Sequence, residues 1–130
     1  MLDFMRTEPR FMRWLDRLIR HEKPENTIRV FHFGILQSQK GYSVYLMGQQ
    51  KFDEAHEDWV SQPWDFIPSK QYFEVGDEVT PQQGWEAAII YVRTLLLQYM
   101  QSENYQDSFF TKADALTLGS DESGEILRLK

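Results

Sequence analysis

Apolar residues recur along this chain with two different periods, and the changes of period divide it into elements. Between residues 8 and 21, Phe11, Trp14, Leu15, Leu18 and Ile19 return at three- and four-residue steps and make an apolar face. Arg10, Arg13, Arg17 and Arg20 fall opposite, so the stretch predicts an amphipathic helix. Thr7 is its expected cap, and Pro9 sits in the first turn, where a missing N–H is tolerated. Lys23-Pro24-Glu25-Asn26 stops it, because the residue before a proline is pushed out of the helical region.

The period then shortens. Residues 27–37 are rich in β-branched and aromatic side chains, and apolar groups occupy both parities, so this strand belongs in the middle of a sheet. Ser38-Gln39-Lys40-Gly41 predicts a turn, and residues 42–49 form the return strand. Residues 50–70 mix Phe52 and Trp59 with carboxylates and are broken by Pro63 and Pro68. Gln71 to Val75 predicts a short strand. Thr80-Pro81-Gln82-Gln83 then opens a second helix with a capping Thr, an early Pro and a Gln able to close a capping box. That helix is expected to run to about Ser102. Trp85, Ala88, Ile89, Val92, Leu96 and Tyr99 form its main stripe, and Ile90, Tyr91, Leu95, Leu97 and Met100 carry apolar surface nearly all round it. Two strands, Ala115 to Leu118 and Glu125 to Leu129, close the chain around a polar turn at 119–124. The expectation is one α+β domain over residues 1–130: an antiparallel sheet of two hairpins plus a short strand, packed against two helices.

Composition sharpens this picture. Of 130 residues, 15% are aromatic, which argues against disorder. The absence of cysteine excludes disulfides, thiolate metal sites and thiol catalysis. The first residues, Met1-Leu2-Asp3-Phe4-Met5-Arg6, lack the basic-then-apolar order of a secretory signal, and no apolar run approaches a membrane span. A cytoplasmic protein is expected. The net charge of −6 is uneven: residues 1–30 carry seven basic and five acidic groups, a balance of +2, and the remainder balances at −8. Phosphates would be repelled by such a body, so neither nucleic acid nor a membrane is an expected partner, whereas a basic protein is.

Motifs for phosphate, dinucleotide, serine-nucleophile or zinc chemistry are absent, and His21, His32 and His56 are far apart in sequence. The most polar cluster is Asp53-Glu54-Ala55-His56-Glu57-Asp58. It admits four readings: a metal site of His56 with Asp53 or Glu57, a general acid/base pair of Glu57 and Asp65, a surface for a basic partner, or a solvated turn with no role. The arginine side of the first helix is a solvated face, a protein contact or, against the net charge, a phosphate contact. Trp59, Trp64, Phe66, Tyr72 and Phe73 are core residues or a stacking platform. The apolar surplus of the second helix is core or a homodimer seam between Trp85 and Met100.

Tyr45-Leu46-Met47-Gly48, followed by Phe52-Asp53-Glu54, Asp58-Trp59 and Phe66-Ile67-Pro68, then a helix headed by Trp85 and a closing pair of strands from Leu116 to Leu129, resembles a loosely defined group of small bacterial α+β proteins. Some members look like immunity proteins encoded beside antibacterial toxins. The resemblance spans roughly residues 40–130 and carries over no functional residue. Together with the small size, the acidic body and the missing catalytic motifs, it points to a non-enzymatic acidic binding protein, of immunity or inhibitor type, that occludes a basic protein partner, with no cofactor and no metal. Asp53, Glu54, Glu57, Asp58 and Asp65 would supply the charge, and Trp59 or Trp64 an aromatic anchor. The alternatives are a small hydrolase or metal-dependent enzyme centred on His56, and a housekeeping homodimer.

Overall fold

A computed structural model describes residues 6–39 and 41–130; Met1 to Met5 and Lys40, and with them part of the leader reading and of the 38–41 turn, lie outside the described residues, as does the side chain of Glu57. The order of elements is α1 (Thr7–His21), β1 (Val30–Gln37), β2 (Tyr42–Gln49), β3 (Tyr72–Glu74), α2 (Gly84–Tyr99), α3 (Glu103–Gln106), β4 (Ala115–Ser120) and β5 (Ile126–Arg128), with short 3-10 turns at Glu57–Ser61, Pro81–Gln83 and Phe109–Lys112. The fold is α+β.

The five strands lie in the order β3-β2-β1-β4-β5. β1 takes the central position that its two apolar parities require. It pairs antiparallel with β2, Gly34 opposite Tyr45, and parallel with β4, His32 opposite Thr117. The expected antiparallel sheet is therefore mixed. The long connection through α2 and α3 leaves the β3 edge and returns the chain on the other side of β1, running parallel to it, as a helical crossover permits. β3 on β2 and β5 on β4 are antiparallel.

Alternation along the strands sends Phe31, Phe33, Ile35, Val44, Leu46, Phe73, Leu116 and Leu118 into one apolar cluster with Phe11, Trp14, Leu15 and Leu18 of α1 and Ala88, Val92, Leu95, Leu96 and Tyr99 of α2. Trp85 and Ile89 pack against that cluster half-buried. Aromatic edges lock its centre: Phe31 meets Phe110 at 5.2 Å and 78°, and Phe11 meets Phe73 at 5.2 Å and 80°.

One helix start differs from expectation. Thr7 lies inside α1 rather than capping it. Its hydroxyl is drawn away by the 76–78 loop, donating to Glu78 Oε1 at 2.5 Å and accepting from Gly76 N at 2.8 Å. The second helix opens with the expected capping box of Thr80 and Gln83, Thr80 N donating to Gln83 Oε1 at 2.8 Å, set in a 3-10 turn; it ends at Tyr99 rather than near Ser102, where the chain turns into α3. No helix among the described residues is long and apolar enough to cross a membrane.

Candidate functional site

No α-helix among the described residues contributes to the cluster on the opposite face of the sheet. That face is built from the other parity of the same strands: Val30, His32 and Gly34 of β1, Tyr45 and Met47 of β2, Ala115, Thr117 and Gly119 of β4. Its cover is the segment 50–66. Buried Gln49 holds that segment down by donating from Nε2 to Trp59 O at 2.9 Å and Gln62 O at 3.0 Å. Asp65 Oδ2 accepts from Gln50 N at 2.7 Å, and Phe66 bridges to Gly48 through both backbone groups. A second, smaller apolar cluster results, made of Val30, Tyr45, Met47, Trp59 and Ala115.

This cover is incomplete. Between it and the β4–β5 turn lies a cavity of about 260 Å³, lined by His32, Tyr45, Val60 and Ser61 together with residues 119–121 and 124–126. Tyr45 is its main wall. A Cβ at Gly34 would enter the Tyr45 ring, so glycine lets that ring lie across β1. The hydroxyl thereby reaches Asp121 and donates to Oδ1 at 2.9 Å. Trp64 stacks on the ring's other side at 5.5 Å and 13°. Burial, then the bond to Asp121, raises the phenol far above its ordinary range, so it stays a donor at any physiological pH.

His32 lines the same cavity at 3% exposure. Its Nδ1 lies 2.8 Å from Thr117 Oγ1, and Trp59 meets the ring edge-on at 5.9 Å. Burial lowers its pKa from 6.5 to about 4, so the imidazole is neutral at pH 7. The hydroxyl at hydrogen-bond distance from it, Thr117, is itself buried inside the sheet. His32 and Thr117 were not assigned to a site from the sequence. The available signals were a histidine and a glycine at alternate positions of an otherwise apolar strand, which mark a polar group facing inward and a close approach of another chain segment.

The residues that the sequence did single out are divided by the structure. Asp53, Glu54, Asp58 and Asp65 are exposed. Asp53 is partly committed to its own loop: Oδ1 accepts from Ala55 N at 3.0 Å and Oδ2 pairs with His56 Nδ1 at 3.0 Å. The Ala55 N–H, followed by His56, holds that carboxyl below its ordinary range. Glu54 pairs with Arg128 of β5, which ties the acidic segment to the closing strands. Trp59 is the exception. It is 6% exposed, because the 3-10 turn folds it onto the sheet, so an accessible aromatic anchor has to be Trp64. The aromatic platform does not exist as one surface: Phe66 and Phe73 pack on the helix side, whereas Trp59, Trp64 and Tyr72 belong to the loop side. The His56 side chain is 74% exposed, and no three His, Asp or Glu side chains among the described residues converge on a metal position.

No known family, curated protein or solved structure matches the chain.

On the helix side, Arg10 lies over the Phe73 ring at 5.2 Å, and Arg13, Arg17 and Arg20 are exposed. The apolar surplus of α2 is largely absorbed: Ile90, at 67%, is its one large hydrophobic in full exposure.

Proposed function

We propose that this protein is a small, non-enzymatic binding protein of immunity or inhibitor type that occludes a basic protein partner with the loop-covered face of its sheet. One observation carries the reading. Exposed acidic residues, Asp53, Glu54, Asp58 and Asp65 in one segment and Asp121 and Glu125 in the other, belong to the two segments that wall the cavity of this face. The Glu54–Arg128 pair and the shared cavity walls bring the two segments together. A surplus of negative charge beside a surface with aromatic walls steers an opposite charge and orients it on arrival. The −8 balance of residues 31–130 and the likeness to toxin-associated immunity proteins point the same way.

The test is kinetic. A partner is captured from the source organism, purified, and its association measured with the wild type and with Asp53, Glu54, Glu57 and Asp58 all changed to Lys. Association at low salt is expected to fall by about tenfold or more, and the wild-type rate to fall steeply as salt rises. An unchanged rate with unchanged salt dependence would leave the acidic segment a solvated turn and remove the reading.

A further inference from the structure

The cavity beside Tyr45 is suited to one kind of occupant. Two carboxylates, Asp121 and Glu125, stand at its rim, and no lysine or arginine lines it. Asp121 is held in place by the Tyr45 hydroxyl, at 2.9 Å from Oδ1. The floor at Gly119 is kept low by the missing side chain: a Cβ there would stand 2.7 Å from Glu125 O and 3.3 Å from His32 Cε1. His32 supplies a second, independent pointer. Its Nδ1 is engaged by Thr117, whereas Nε2 has no hydrogen-bond partner among the described residues. No fully enclosed side-chain nitrogen or oxygen among them lacks a partner, so the small residual exposure of this ring includes Nε2, and the ring lines this cavity. A buried polar atom is thus left open toward a space walled by an aromatic ring and rimmed by negative charge.

We propose that the cavity receives the guanidinium group of an arginine presented by the basic partner, with Asp121 and Glu125 as charged acceptors, the edge of the Tyr45 ring as a side wall and His32 Nε2 as an acceptor at the floor. This rests on the basic-partner reading and adds the group that is read. A guanidinium fits better than an ammonium for two reasons. Its donors diverge in a plane and match acceptors spread over a rim and a floor. It is the more weakly hydrated of the two cations and so costs less to bring into a half-enclosed space. With Nδ1–H donating to Thr117 Oγ1, Nε2 carries a lone pair, and an uncharged imidazole does not repel the cation.

The test uses the whole protein and a defined probe. N-acetyl-arginine amide is titrated while the ring protons of His32 and Tyr45 are followed by NMR, with His21 and His56 as internal controls. N-acetyl-citrulline amide, of nearly the same shape and uncharged, is the second probe. The expected result is a saturable shift at His32 and Tyr45, binding of the citrulline probe weaker by about tenfold or more, and loss of the arginine response in Asp121→Asn. Glu125→Gln is the second variant, should Asp121→Asn disturb Tyr45. No saturable shift at His32 and Tyr45, equal responses to both probes, or movement at His56 instead of His32 would overturn the proposal. If arginine fails here while the protein still binds its purified partner with steep salt dependence, this inference alone falls. If that salt-dependent binding is also absent, the basic-partner reading falls with it.

Discussion

Adjacent residues of β1 show how differently the two faces of the sheet are made. Phe33 points to the helix side, where Trp14 and Phe110 meet it at 6.4 and 5.8 Å and the surroundings are apolar throughout. His32 points to the loop side, among a threonine, two aromatic rings and a cavity. The same strands serve both, so the difference comes from the covering elements. Two helices with continuous apolar stripes close the sheet's helix side into the larger core. A proline-broken segment pinned at a few backbone points covers less and leaves polar groups to be satisfied by side chains or by something that arrives. Binding sites belong on surfaces of the second kind, positioned by a rigid layer of the first.

The comparison can be broken most forcefully at Phe33. Phe33→Ala is expected to cost about 3–5 kcal/mol, from lost transfer energy plus a cavity in a closely packed cluster. Urea denaturation reads this directly, and a loss below about 1 kcal/mol would mean that the helix side is not the core that carries stability.

Next comes acid. The pKa of His32 is lowered by folding, so between about 4 and 6.5 the unfolded chain binds the proton that the folded one refuses. The stability from keeping this imidazole neutral is fully present above pH 6.5, is lost as pH falls toward 4, and amounts to about 3 kcal/mol. In His32→Gln that part of the pH dependence is expected to vanish, as equilibrium unfolding between pH 4 and 7 will register; an unchanged slope would place the proton uptake elsewhere.

Smaller effects sharpen the picture of the cavity wall. Gly34→Ala drives a methyl group into the Tyr45 ring and is expected to cost about 1–3 kcal/mol, with loss of the Tyr45–Trp64 stacking in near-ultraviolet circular dichroism. Tyr45→Phe removes only the hydroxyl bond to Asp121 and is expected to cost about 1 kcal/mol in the same denaturation assay. Least affected will be Asp58→Lys, an exposed carboxylate, expected to lie within about 0.5 kcal/mol of wild type.

The helix side was legible in the sequence because its signals are periodic. Phe11, Trp14, Leu15 and Leu18 declare a helix face by spacing alone, and the β-branched, two-parity character of β1 declares a central strand. The parallel pairing of β1 with β4 was not legible. It depends on where a crossover through α2 and α3 returns the chain, and both sides of β1 offer equally apolar partners. The loop side was half legible. Its acids stand out in composition, but the cavity joins residues 32, 45, 61, 121 and 125, distant in sequence and without a shared spacing. Trp59 shows the limit: an aromatic among carboxylates looks like a surface anchor, yet a single 3-10 turn is enough to bury it.

The central claim, that recognition belongs to the loop side, is tested most directly by amide hydrogen exchange of the protein alone and bound to its purified basic partner. The account predicts added protection in residues 50–66 and 119–126, with α1 unchanged. Protection confined to α1 and its exposed arginines, with 50–66 and 119–126 exchanging as in the free protein, would contradict it.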